Sequence, residues 1–383
     1  MLRRLSLDTS SSGFGALAVV LLLLATAGCG GDPLARATAD PRAGRPLGRG
    51  AVIVYSSRYE VDLPGMDLNP RFDARKCSRV AEALVRDGYL SAEDLVVPPE
   101  VTREELLLVH TAAYLDSLGQ PPLVAEIFNQ GVVRLLSAST IDRRILAAFR
   151  RATGGTILAA RRALEGGLAV NLGGGYHHAH PDHGMGACVY ADVPIAVRVL
   201  QKEKLVRRVL VVDGNVHQGN GLAVCFAGDP DVFTFSIHEA DLWPVEKPPN
   251  DLDLGLKLPV DDATYLAALS ERLPAVIRDF KPELVIFIAG ADVQAGDPNG
   301  HFGLTPAGIL RRDEYVAGLA RSAGIPLLYL IGGGYFRTAW QTQVASIANL
   351  LEKFAGVTPR AAAANSGTPP NGQGGMATPK GSP

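Results

Sequence analysis

Six short apolar runs constrain this chain more than any other feature: Ala51–Tyr55, Leu168–Leu172, Arg208–Val212, Val232–Ile237, Leu284–Ala289 and Pro326–Ile331. They alternate with stretches of helical periodicity at Ala74–Asp87, Thr102–Leu118, Ile141–Glu165, Pro194–Lys202, Asp262–Phe280, Pro306–Ala323 and Arg337–Phe354. A strand that is apolar along its whole length is one covered on both faces, and strand–helix alternation supplies the covers. The expected fold is therefore α/β, a single open parallel β-sheet covered by helices on both faces. In such sheets ligands bind beyond the C-terminal strand ends, so the polar residues just after each run are the ones to read.

After Leu168–Leu172 come three glycines and then Tyr176-His177-His178-Ala-His180-Pro-Asp-His183, which places four of the chain's eight histidines within seven positions. Histidine exchanges a proton near neutral pH, so an adjacent pair at a strand end points to general acid–base chemistry. After Arg208–Val212 comes Asp213-Gly-Asn215-Val-His217. In an extended segment positions 213, 215 and 217 share a face, so a carboxylate, an amide and an imidazole would point the same way. Leu284–Ala289 delivers Asp292 to the same edge, and Pro326–Ile331 leads through Gly332-Gly-Gly to Tyr335. A histidine with oxygen ligands and an open position is what catalytic zinc requires. Neither glycine run continues into Lys-Ser/Thr, which argues against a phosphate loop.

The chain has 383 residues, 47% hydrophobic and 20% charged, with a net charge of −2. That balance leaves no basic footprint for nucleic acid. Cys29, Cys77, Cys188 and Cys225 show no CxxC spacing, so neither a thiolate zinc site nor a disulfide framework is indicated. Arg3-Arg4, the apolar segment Gly15–Ala27 and the small residues ending at Gly28-Cys29 have the layout of a secretory signal. The cysteine after Ala-Gly resembles a bacterial lipobox, with Cys29 as the lipidated residue; the other reading is an uncleaved anchor helix. Either reading places the remainder outside the cytoplasm on a membrane, and Gly30-Gly31 after a lipidated Cys29 favours the outer membrane. The expected organisation is a signal over 1–29, a flexible tether over 30–50, one domain over 51–357 and a disordered tail over 358–383.

Tyr55-Ser-Ser-Arg-Tyr59, Phe72-Asp-Ala-Arg-Lys76, Leu107-Leu-Val-His-Thr111, Gly154-Gly-Thr156 and His217-Gln-Gly-Asn-Gly221 complete a set of motifs from about Ala51 to Phe354. In this order they resemble the zinc-dependent histone deacetylases and their bacterial relatives, most of all class IV, on the arginase/deacetylase fold. The resemblance implies that His177 and His178 are the tandem catalytic histidines, backed by Asp213 and Asn220 respectively. It implies zinc ligands at His217, Asp292 and the position of Asn215, and a carbonyl-binding phenol at Tyr335. Asp213, Ser236 and Ile237 match positions of a structural monovalent-cation site such as K+.

Two positions depart from the family pattern. Asn215 stands where the third zinc ligand is aspartate, removing one negative charge from the site. Ala187, in Gly186-Ala-Cys188, stands where a phenylalanine lines the substrate tunnel, which widens that wall opposite Trp243-Pro244. The functions implied are a zinc-dependent deacetylase or deacylase acting on acylated lysine or a related amine, an acetylpolyamine-type amidohydrolase, or a metal-poor binding module that keeps the tunnel.

Overall fold

The computed structural model describes residues 45–61 and 73–360. The signal with Cys29, residues 30–44 of the tether, Phe72 and residues 361–383 lie outside the described residues. Eight strands, β1 (Val52–Val54), β2 (Leu95–Val96), β3 (Leu168–Asn171), β4 (Val209–Asp213), β5 (Val232–Glu239), β6 (Leu252–Leu256), β7 (Leu284–Ile288) and β8 (Leu327–Leu330), form one sheet in the order β2-β1-β3-β8-β7-β4-β5-β6. Every neighbouring pair is parallel.

The two-residue period of the strands divides their side chains between two apolar layers. Leu210, Val212, Val285, Phe287, Leu327 and Tyr329 pack with the helices Lys76–Arg86, Asp262–Phe280, Pro306–Ser322 and Ala339–Leu350. Val209, Val211, Leu284, Ile286, Leu328 and Leu330 pack on the opposite face with Ala147–Gly166 and Asp192–Lys202. A third cluster, built from residues such as Leu106, Tyr114, Ile141, Phe149 and Tyr190, gathers the short helices between β2 and β3.

The chain order places the site. From β3 the chain passes over two strand positions to β4, runs outward to β6, and returns to fill the gap with β7 and β8. The central strands β3, β8, β7 and β4 thus lie side by side although their ends are far apart in sequence. Their C-terminal edges carry the dyad histidines, Tyr335, Asp292 and the Asp213–His217 turn.

Several elements differ from expectation. Strands β2 and β6 were not foreseen: β2 is two residues long, and β6 (Leu-Asp-Leu-Gly-Leu) is a half-buried edge strand whose Asp and Gly break the apolar run. The single helix expected over Thr102–Leu118 is two short ones, Arg103–Leu106 and Ala112–Ser117, because Thr111 caps the second by accepting from the Tyr114 amide. The end of the expected tether is packed: Leu47 is buried in the core and the Arg49 amide donates to Ala355 O at 2.7 Å. The start of the expected tail is tied down too, with the Arg360 amide donating to Gly88 O at 2.9 Å. Cys77, Cys188 and Cys225 are free thiols. Among the described residues no helix is long and apolar enough to cross a membrane.

Between those two short helices, His110 is buried with Nδ1 3.2 Å from Pro181 O, while its Nε2 accepts from the Ala191 amide at 3.0 Å. The ring is thereby fixed neutral, and burial pulls its pKa from 6.5 to about 4. An unfolded chain takes up the proton below about pH 6.5 and the folded one does not. Stability from this residue is therefore complete above that pH and falls by roughly 3 kcal/mol as the pH drops towards 4. In urea unfolding at pH 7 and pH 4.5, the wild type is expected to lose roughly 2 kcal/mol more than His110→Gln; equal losses contradict this.

Candidate active site

The glycines after β3 let the backbone fold back beneath the dyad. Gly174 and Gly175 have φ of 77° and 79°, in the left-handed region that favours glycine. The buried carboxylate of Asp192 holds the turn, accepting from the Gly175 amide at 2.9 Å, the Tyr176 amide at 2.8 Å and Thr156 Oγ1 at 2.6 Å. Asn171 extends this network, donating to Thr156 Oγ1 and accepting from the Tyr59 hydroxyl at 2.8 Å.

His177 and His178 emerge with ring centroids 4.0 Å apart, both buried. Their partners set them apart. His177 Nδ1 lies 2.6 Å from Asp213 Oδ2, and the charge and hydrogen bond of that carboxylate outweigh burial, raising the His177 pKa. His178 Nδ1 lies 2.7 Å from Asn220 Oδ1. Asn220 is fixed in that orientation because its Nδ2 lies 3.0 Å from His180 Nε2 and donates to Met185 Sδ at 3.3 Å. A neutral amide oxygen accepts the Nδ1 proton and leaves the Nε2 lone pair of His178 available. Burial, followed by the charges of His177 and His217, holds His178 well below its ordinary pKa. The dyad therefore pairs a histidine inclined to be cationic with one inclined to be neutral.

Beyond β4 the side chains converge by a route other than the extended face expected from the spacing. The strand ends at Asp213, whose Oδ1 accepts from the Asn215 amide at 3.1 Å and from Asn215 Nδ2 at 2.6 Å, closing a tight turn. Asn215 Oδ1 accepts from the Gly333 amide at 2.8 Å. Asp292 Oδ1 accepts from the Val216 amide at 3.0 Å, while Asp292 Oδ2 is buried and has no hydrogen-bond partner. His217 Nδ1 faces that orphaned oxygen at 4.0 Å. Burial, then the charge of Asp297, raises the Asp292 pKa to about 7.

A buried carboxylate oxygen left without a donor demands a cation or a proton. With zinc–nitrogen and zinc–oxygen bonds of about 2.0–2.2 Å, tetrahedral ligand atoms lie about 3.4 Å apart, so His217 Nδ1 and Asp292 Oδ2, 4.0 Å apart, would have to close by about half an ångström to share one ion. The Asn215 oxygen retains a second lone pair beside the Gly333 bond. The set thus fits a divalent cation with one imidazole, one carboxylate and one neutral amide. Among the described residues no group of three or more His, Cys, Asp or Glu side chains is placed to hold a metal. The amide at 215 accounts for this, because it leaves two such members.

Beyond β8 the Gly332–Gly334 turn presents Tyr335, whose amide donates to Asp297 Oδ2 at 2.8 Å. Tyr335 lines one cavity of about 120 Å³ together with His177, His178, Gly186 and Ala187. Burial, and next the charge of Asp292, raises the Tyr335 pKa well above its ordinary value, so the phenol stays protonated. Gly186 and Ala187 both have positive φ, 57° and 60°. The Trp243 ring centroid lies 4.7 Å from that of His178 and 5.8 Å from that of His217; its side chain lines a separate hollow with His180, Met185 and Asn220 rather than the cavity of Tyr335 and Ala187. Ser236 pairs in register with Asp213 across β4 and β5, and its Oγ lies 2.9 Å from His238 Nδ1; Ile237 is buried beside it.

Sequence reasoning missed Asp192 and Arg312. Asp192 reads as an ordinary acid in a helix first turn, and nothing in the sequence shows that it reaches back to Gly175 and Tyr176. Arg312 is fully buried, pairs with Asp313 at 2.8 Å, and donates from Nη1 to Gly214 O at 3.0 Å and Gly290 O at 2.8 Å. One internal cation thus ties together the turns carrying Asn215 and Asp292. Within a helical pattern, an Arg-Arg-Asp run reads as a solvated face.

Residues 70–351 match the histone deacetylase domain family. Histone deacetylase 2 of Arabidopsis thaliana is 36% identical over 301 residues, covering 78% of this chain and 78% of its own length. Acetoin utilization protein AcuC of Staphylococcus aureus (strain MSSA476) is 27% identical over 281 residues, 69% of this chain and 72% of its own. The solved HDA15 HD domain shares the fold, with a TM-score of 0.65 at 23% identity, over 81% of this chain and 90% of that one.

Proposed function

The chain belongs to the zinc-dependent histone deacetylase family, and we propose that it is a metal-dependent deacylase hydrolysing the amide of acylated lysine or a related acylated amine. The observation that carries this reading is the buried, partnerless Asp292 Oδ2 facing His217 Nδ1 beside the histidine dyad. His217 Nδ1, Asp292 Oδ2 and the Asn215 amide oxygen would hold the ion. Zinc bound there supplies Lewis acidity to the acyl carbonyl and to the attacking water.

The remaining steps belong to the chain's own side chains. His178, kept neutral by burial and fixed with its proton on Nδ1, accepts the proton of the attacking water at Nε2. His177, held towards its cationic form by Asp213, delivers a proton to the leaving amine. Tyr335 donates its hydroxyl hydrogen to the developing oxyanion. The N-terminal signal pattern supports action outside the cytoplasm on a membrane, and therefore a substrate other than chromatin.

One observation favours a second reading, a binding module without metal: both ends of the Asn215 amide already have protein partners, and the site carries one negative charge fewer than an aspartate at 215 would give. A panel of acyl-lysine peptides and acetylpolyamines, assayed with zinc, with chelator and after zinc is restored, separates the readings. Acyl release that chelation abolishes and zinc restores is the expected result. Release from acetylpolyamines alone would redirect the substrate class, and no release from any member would favour the binding module.

A further inference from the structure

The side chain behind His178 can serve that ring in two opposite ways. A carboxylate at 220 would accept from His178 Nδ1 in either orientation, because both of its oxygens are acceptors. The carboxamide of Asn220 has an acceptor at one end and a donor at the other. Turned one way, it takes the Nδ1 proton and leaves Nε2 bare. Turned the other way, it donates to Nδ1 and the ring proton moves to Nε2, the atom that must receive a proton from the attacking water. The state of His178 therefore depends on what holds the far end of the Asn220 side chain.

That far end reaches into the hollow lined by His180, Met185 and Trp243. Asn220 Nδ2 lies 3.0 Å from His180 Nε2 and 3.3 Å from Met185 Sδ. A thioether only accepts, so Met185 favours the amide nitrogen on this side, but as a weak acceptor it does so weakly. His180 is the stronger partner, and with its proton on Nδ1 its Nε2 is a bare acceptor. Its surroundings preserve that state. The half-buried ring is stacked on His183, with centroids 4.2 Å and planes 16° apart, and its backbone amide donates to His183 O at 2.9 Å. His183 Nδ1 in turn lies 2.8 Å from Asp182 Oδ1. Burial, and next the charge of His183, hold the His180 pKa below its ordinary value, while Asp182 acts in the opposite direction. Lys247 lines the same hollow, with its ammonium bonded to Leu242 O and Pro244 O.

We propose that His180 is a positioning residue: by accepting from Asn220 Nδ2 it orients the amide and so keeps the proton of His178 on Nδ1. The orientation stands by itself, whereas its consequence for turnover rests on the deacylase reading. A side chain at 180 that can only donate should reverse the amide. With a carboxylate at 220, the residue at 180 should cease to matter to the His178 tautomer.

The test is nitrogen NMR on full-length protein with isotopically labelled histidine, in mildly alkaline buffer, where bare and protonated ring nitrogens are told apart. The His178 signals are those missing from His178→Gln. In the natural chain the proton is expected on Nδ1. His180→Gln, whose amide oxygen can replace Nε2 as acceptor, should keep it there. His180→Lys and His180→Arg only donate and should move it to Nε2; adding Asn220→Asp to either should return it to Nδ1. Acyl-lysine turnover at matched zinc content is measured in parallel. His180→Lys is expected to lower kcat about 10²-fold or more with little change in KM, and His180→Gln to keep most of the activity. A proton on Nε2 in the natural chain overturns the proposal, as does one that stays on Nδ1 in both His180→Lys and His180→Arg. Reversal that persists after Asn220→Asp also overturns it, because the amide is then not the link. Equal kcat in His180→Gln and His180→Lys overturns its bearing on the reaction. A reversed tautomer with no turnover in any chain, the natural one included, leaves the positioning role standing and removes the deacylase reading.

Discussion

Replacing His178 with alanine is expected to lower kcat for acyl-lysine hydrolysis about 10²- to 10⁴-fold, the usual contribution of a positioned general base. KM should change little, because the lost interaction is made in the transition state. Asn220 sets the state of the ring. Its oxygen takes the Nδ1 proton of His178, its nitrogen is anchored by His180 and Met185, and the ring is left neutral with Nε2 free. Burial and two neighbouring histidines keep the ring from protonating near neutral pH. Steady-state kinetics on a single acyl-lysine peptide, with zinc content matched between the proteins, measure the effect. A loss below tenfold would mean that His177 alone manages the proton.

Replacing Tyr335 with phenylalanine should remove about 10²- to 10³-fold from kcat, the range for a single oxyanion donor. The phenol can serve as a donor across the physiological range because burial and the Asp292 charge raise its pKa, keeping the hydrogen in place. The tyrosine backbone is fixed independently of the hydroxyl, through the Tyr335 amide on Asp297 and the Lys76 bond to Gly332. The substitution should therefore leave the turn and the melting temperature essentially unchanged. A parallel fall in stability would mean that the hydroxyl supports the fold rather than the chemistry. Undiminished turnover in a stable variant would remove Tyr335 from the mechanism.

The strands that build the centre of the sheet were legible because both their faces are buried, which makes β3, β4, β7 and β8 near-continuous apolar runs ending in glycine or polar clusters. From their ends alone His177, His178, Asp213, Asn215, His217, Asp292 and Tyr335 could be nominated. What the spacing misrepresented was the route: Asp213 and Asn215 meet through a tight turn after the strand has ended. The edge strand β6 stayed hidden because Asp253 and Gly255 interrupt its pattern. Asp192, Lys76 and Arg312 were illegible for a different reason. Each acts on a turn far away in sequence, Asp192 on Gly175, Lys76 on Gly332 and Arg312 on Gly214 and Gly290, and each contact runs to backbone atoms, which carry no residue-type signal. The roles came with the family resemblance, and the ground for expecting weaker metal binding at Asn215 is physical: its neutral amide is held between Asp213 and Gly333.

The most direct test of the account is zinc per chain after dialysis, measured for the natural protein beside Asn215→Asp. Close to one zinc per chain is expected in the natural protein, held more weakly than in the variant. Zinc retained by Asn215→Asp but absent from the natural chain would contradict it, leaving a domain that keeps the tunnel and the dyad without the metal that hydrolysis needs.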